Sequence, residues 1–350
     1  MKKFLKIISV LCAVALLAGC SLISDVSENE ATPSKGNSPK VITVNGVDYN
    51  LERFNIYYYS AQDEILSGAG LSQAESIPKD FWEQKVDGKT NLERAKEKAV
   101  EMLVADALAY EKAKELGIKI TAEEKSNLEN TMAQIRQTPT SYEQLSIMGV
   151  SEEEMMKYWE EQMCMSHLLP KLIEKGELKV DEATAQQKFD ETYIKAKHIL
   201  ISTVDAAGQP LPEADAKKAE EKAKEILAKV KAGEDFDTLM NENSTDPGLE
   251  TAPDGYVFKS GEMVPEFEEA AFNLGIDQVS EIVPTSYGYH IIKRVAPDMK
   301  GEQEELAMQG IKSEIVYPDY EVLAKKWKDS AKIKKEDKII KDLKPTIIKN

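Results

Sequence analysis

Cysteine is nearly absent from this chain: 350 residues hold three, Cys12, Cys20 and Cys164. No disulfide framework can be built from so few, and no close cysteine pair exists to hold zinc. Histidine is equally scarce. His167, His198 and His290 are the complete set and stand too far apart to form a metal-binding motif, so no metal is expected. Gly-x-Ser-x-Gly, His-Glu-x-x-His and a phosphate-binding glycine loop are also missing, which removes the common hydrolase, metalloprotease and nucleotide signatures. Excess positive charge is lacking as well. With 45 Lys and Arg against 62 Asp and Glu the net charge is −17, which argues against nucleic acid as a partner. The N-terminal apolar run, Ile7 to Leu17 with Ser9 inside it, is too short to span a bilayer.

What is present at that end is a targeting pattern. Lys2, Lys3 and Lys6 precede the apolar run, and Leu17-Ala18-Gly19-Cys20 closes it. The arrangement resembles a lipoprotein signal. It implies that residues 1–19 are a signal peptide and that lipid is attached at Cys20, leaving Cys164 as the lone thiol. Loss of three lysines and no acid takes the charge to −20, so lipid rather than basic patches must hold the chain at an anionic membrane. The expected location is the extracytoplasmic face of the cell membrane. Residues 20–40, poor in large apolar side chains, read as a flexible tether.

Val41 to Tyr49 reads as a hairpin turning at Asn45-Gly46. From Leu51 to Thr192 the pattern is helical: Leu92, Ala95, Ala99, Met102, Leu103 and Ala109 recur at threes and fours, and Gly117 stops the run. Thr121-x-x-Glu124 and Ser151-x-x-Glu154 are capping-box signatures. The stripe Met155, Tyr158, Trp159, Met163 reads as core at helical spacing, with a client-binding surface as the alternative.

The pattern changes over 193–296. Ile194, Ala196, His198 and Leu200 share one face of a half-buried strand. An amphipathic helix follows, from Ala216 to Val230, ended by Gly233. Asp235 caps a shorter helix that buries Phe236, Leu239 and Met240. A third begins at Pro265 and buries Phe267, Ala270, Ala271 and Leu274, and a strand ends near Val295. This is an α+β domain of β-α-α-α-β type. After Pro297 a pair of helices is expected to pack back on residues 41–192. A mainly helical domain, 41–192 completed by 297–350, would then carry 193–296 as an insertion. The pattern is uninformative over the lysine-rich stretch 332–350.

Several strings in the inserted block occur together: Lys197-His198-Ile199-Leu200, Phe236 followed by Ser244-Thr245-Asp246, Gly261-x-Met263-Val264-x-x-Phe267-x-x-Ala270-Ala271-Phe272-x-Leu274, and Tyr287-Gly288-Tyr289-His290-Ile291-Ile292. Their combination resembles the parvulin type of peptidyl-prolyl cis/trans isomerase domain, an antiparallel sheet with surrounding helices. The chain around it resembles the exported foldases of the PrsA kind. The resemblance implies paired histidines at His198 and His290, with Thr285 in their network, and a carboxylate near the substrate carbonyl at Asp246. It implies an apolar proline pocket at Met263 and Phe267, with Tyr287 also at the substrate, and a reaction that needs no cofactor. Where the family usually has Gly-Asp-Leu-Gly this chain has Pro253-Asp254-Gly255-Tyr256; Tyr256 and Phe258 are the two candidates for the missing leucine's place. The implied partners are unfolded or newly exported proteins with Xaa-Pro bonds and the membrane through Cys20, with a homodimer left open. A non-catalytic holdase is the alternative function. A solute-binding lipoprotein is more distant, since 51–192 lacks strand–helix alternation.

Overall fold

The computed structural model describes residues 38–71 and 77–346. The signal peptide, Cys20 and most of the 20–40 tether lie outside the described residues. Among the described residues no helix is long and apolar enough to cross a membrane. By its packing the chain divides into two units, one formed by residues up to 178 together with 317 onward, the other by 179–316.

In the first unit, β1 (Lys40–Val44) and β2 (Val47–Asn50) form the hairpin at Asn45-Gly46, where both residues take positive φ. Helix α1 (Leu51–Gly68) follows, capped by the Asn50 side chain. A small hairpin, β3 (Lys85–Val86) and β4 (Lys89–Thr90), interrupts the stretch expected to be wholly helical, turning at Asp87-Gly88. Next come α2 (Asn91–Glu115), α3 (Ala122–Gln137), α4 (Pro139–Met148), α5 (Glu152–Ser166) and α6 (Leu168–Glu174). Thr121 and Glu124 form the full capping box of α3. At α5 only half of the box forms: Ser151 accepts from the Glu154 N–H, while the Glu154 carboxylate pairs with Arg53 Nε at 2.6 Å. Arg53 is buried in α1 and also bonds Glu161, so neutralising its charge takes precedence over capping. Met155, Tyr158 and Trp159 are buried in this unit's core, as the helical spacing indicates.

The second unit begins with α7 (Glu182–Thr192) and contains a four-stranded antiparallel sheet. Its strands are β5 (Tyr193–Ser202), β6 (Tyr256–Lys259), β7 (Val283–Thr285) and β8 (Gly288–Val295), in the order β6-β5-β8-β7. Helices α8 (Glu213–Lys231), α9 (Phe236–Asn243) and α10 (Pro265–Asn273) lie in the connections. Alternation along the central strands divides the apolar residues between two faces. On one face Ile199, Ile201 and Ile291 pack with Ala223, Ile226, Phe236 and Met240 of α8 and α9. On the other Ile194, Ala196 and Ile292 pack with Phe258, and with Phe267 and Ala271 of α10.

The region after Pro297 departs from the expected helix pair. It is one helix, α11 (Glu302–Ser330), with Pro318 inside, and the division between the units falls at 316/317 within it. In the second unit, Glu304 on α11 makes a buried ion pair with Lys195 at 2.6 Å. Trp327, farther along, belongs to the first unit and packs on its core. β9 (Ile333–Lys335) then pairs antiparallel with β1, and α12 (Asp337–Asp342) follows. The lysine-rich end is thus an ordered sheet edge as far as residue 335.

Candidate active site

Register brings the scattered histidines together. In the β5–β8 ladder His198 opposes Ile292 and Leu200 opposes His290. Opposed residues share a face, as do residues two apart, so the two histidines are diagonal neighbours. Their ring centroids are 5.1 Å apart. The same rule extends the row outward. Tyr256 opposes Ala196, two residues before His198, and Val283 opposes His290 with Thr285 two residues on. Tyr256, His198, His290 and Thr285 therefore form one line across the sheet.

Asp246 reaches this line from the loop after α9. It caps the short 3-10 turn Pro247–Glu250, its Oδ1 accepting from the Gly248 N–H at 3.2 Å. Its Oδ2 accepts from the Tyr256 hydroxyl at 2.6 Å and lies 3.5 Å from His198 Nε2. The second distance is too long for a good hydrogen bond. His290 Nε2 lies 2.9 Å from Thr285 Oγ1, and the Tyr287 N–H donates to the same hydroxyl oxygen. Neither histidine's Nδ1 has a hydrogen-bond partner among the described residues.

Rings do most of the holding. His198 is stacked on Tyr256 at 5.7 Å and 22° and meets the edge of Phe267 at 5.2 Å and 80°. His290 meets Phe267 similarly at 5.3 Å. Burial lowers the His198 pKa, with the Asp246 charge opposing. His290 is pushed down to about 4, first by burial and then by His198. Both imidazoles are consequently neutral at pH 7. Burial, followed by the hydrogen bond to Asp246, raises the Tyr256 phenol, so it stays a protonated donor.

The structure brings together His198, His290, Thr285, Asp246 and Phe267, and Met263 packs against the same apolar cluster. Tyr287 sits at the turn between β7 and β8, 53% exposed. Phe258 corrects an expectation. It is 1% exposed and packs behind Phe267 at 5.9 Å, so its ring belongs to the core and not to a substrate pocket. It opposes Ile194 at the edge of the sheet, whereas the half-buried Tyr256 reaches His198. The Tyr256–Asp246 bond was not foreseen, because residues ten apart across a loop carry no periodic signal. Among the described residues no cluster of His, Cys, Asp and Glu could hold a metal.

A family model, the PPIC-type PPIase domain, matches residues 178–297. Along most of its length the chain is similar to the foldase protein PrsA of Caldanaerobacter subterraneus subsp. tengcongensis. The two are 29% identical over 322 residues, covering 89% of this chain and 91% of that protein. The foldase protein PrsA of Halalkalibacterium halodurans is 38% identical over 165 residues, 45% of this chain and 44% of that protein. Among solved structures, PrsA from Bacillus subtilis is 26% identical, covering 71% of this chain and 89% of that one, with a TM-score of 0.38.

Proposed function

From the premise that residues 178–297 are a parvulin-type peptidyl-prolyl isomerase domain in a foldase of the PrsA kind, we propose that catalysis takes place on the sheet face carrying His198 and His290. The chain is a peptidyl-prolyl cis/trans isomerase that assists protein folding. The observation that carries the site assignment is the convergence of a carboxylate, two neutral imidazoles and an apolar wall on that face.

Rotation about an Xaa-Pro bond faces a barrier of about 20 kcal/mol. The barrier comes from resonance that places negative charge on the carbonyl oxygen and double-bond character on C–N. A proline ring against Met263 and Phe267 leaves water, and the charge-separated form loses solvation there. Asp246, directed at the carbonyl side, disfavours negative charge on that oxygen and so favours the twisted state. His198 and His290 contribute shape: neutral and ring-packed, they hold the floor of the site. Thr285 fixes the His290 ring, and Tyr287 offers an exposed aromatic face to the client. The lipobox-like ending at Cys20 supports anchoring at the outer membrane face, with clients met as they emerge unfolded.

The test compares cis/trans exchange in short Xaa-Pro peptides with sheet stability, followed by amide exchange of β5 and β8. Asp246→Ala and Met263→Ala are expected to slow exchange about tenfold, or ~1.4 kcal/mol, with little loss of stability. His198→Ala is expected to cost about 1–3 kcal/mol of stability by leaving a cavity among rings. Full exchange activity in folded Asp246→Ala protein would remove the carboxylate's role. No exchange in the unaltered chain would favour the holdase instead.

A further inference from the structure

Tyr256 is the least expected member of the row, and two glycines build its seat. At Gly255 φ is +100°, and an added Cβ would lie 2.7 Å from the Ala196 carbonyl oxygen; a side chain there would push β6 off β5 just where Tyr256 is delivered. At Gly248 an added Cβ would lie 1.9 Å from the Tyr256 hydroxyl oxygen, so the turn bearing Asp246 leaves room for that hydroxyl. The ring lies over His198, and the hydroxyl donates to Asp246 Oδ2 at 2.6 Å while the Gly248 N–H donates to Oδ1.

We propose that Tyr256 is a positioning residue for the isomerase reaction, acting through its hydroxyl to hold the Asp246 carboxylate in one orientation against His198. The inference rests on the reading of Asp246 given above. An aspartate on an open turn samples several rotamers, and its charge then faces the substrate carbonyl only part of the time. With a donor on each oxygen it is held in place before the substrate arrives, and no reorganisation is needed as the bond twists. The phenol suits this task because it remains protonated beside a carboxylate.

The experiment measures kcat and KM for peptide isomerisation in the full chain for Tyr256→Phe, Tyr256→Leu, Gly248→Ala, Asp246→Ala and Tyr256→Phe with Asp246→Ala. Tyr256→Phe keeps the ring and is expected to lower kcat about three- to tenfold, with KM and amide-exchange protection of β5 unchanged. Gly248→Ala keeps the hydroxyl in the chain but displaces it, and should reproduce that loss. The backbone at Gly248 is not in the left-handed region, so alanine adds no backbone strain there and the Tyr256 side chain is what must shift. Added to Asp246→Ala, the phenylalanine change should have no further effect. Wild-type kcat in Tyr256→Phe, with only Tyr256→Leu impaired, overturns the proposal and leaves a ring-packing role. Additive losses overturn it too, since the hydroxyl would then act without Asp246. Full activity in Asp246→Ala instead overturns the carboxylate reading on which the proposal stands.

Discussion

His290 makes the isomerase sheet sensitive to acid. Its pKa falls from 6.5 to about 4 because burial removes the water that would solvate a charged ring, and His198 adds repulsion. A depressed value means that the unfolded chain takes up the proton first on acidification. Stability from this group is therefore complete above pH 6.5 and lost as pH falls toward 4. The loss over that window is on the order of 3 kcal/mol. Amide exchange of β5 and β8 between pH 7 and 4 checks this. The unaltered chain should lose protection more steeply than His290→Gln, whose side chain does not titrate, and equal slopes would show that His290 titrates normally.

At the scale of the element, the pairing of β5 with β8 depends on Gly288. Its φ of +146°, just after Tyr287, lets the chain turn from β7 into β8. An added Cβ would lie 2.3 Å from the Ile201 carbonyl oxygen and 2.9 Å from Ser202 Cα, both backbone atoms of the facing strand. Neither can yield without parting the ladder that aligns Leu200 with His290. Gly288→Ala should cost more than about 2 kcal/mol and reduce isomerisation with it. Retained protection of the Ile201 amide would contradict that. Tyr287 beside it is free to face solvent because its own backbone, not its ring, makes the turn's hydrogen bonds.

For the molecule as a whole, the first unit is assembled from both ends of the chain. β9 is the third strand beside β1, and the Tyr58 hydroxyl donates to the Lys344 carbonyl. Gln62 bonds Thr346, and Trp327 packs on the core. We infer that the isomerase is inserted in a helical domain that needs residues 317 onward to close. The three tryptophans, Trp82, Trp159 and Trp327, all belong to the first unit, so tryptophan fluorescence, excited at wavelengths that tyrosine does not absorb, reports on it alone. A chain ending at 316 should show no cooperative fluorescence transition in urea, while peptide isomerisation by its second unit persists. An unchanged transition would mean that the N-terminal part closes its own core.

The sequence by itself determined the elements whose signal is local. Asn45-Gly46 specified a hairpin, Thr121 and Glu124 a helix start, and the spacing from Leu92 to Ala109 a buried helix face, because each rests on backbone conformation or periodicity within a few residues. The row of His198, His290, Thr285, Asp246 and Phe267 was legible only through family resemblance. Strands as short as β6 and β7, at four and three residues, carry no usable alternation. Only the tertiary structure decided which rings met. Register set Tyr256 over His198 and placed Phe258 in the core, although the two are separated in the chain by one residue. It also drew Glu154 away from its cap to Arg53, because a buried guanidinium without partners costs more than an unmade capping bond. Contacts of this kind depend on distance in space, which periodicity and propensity do not encode.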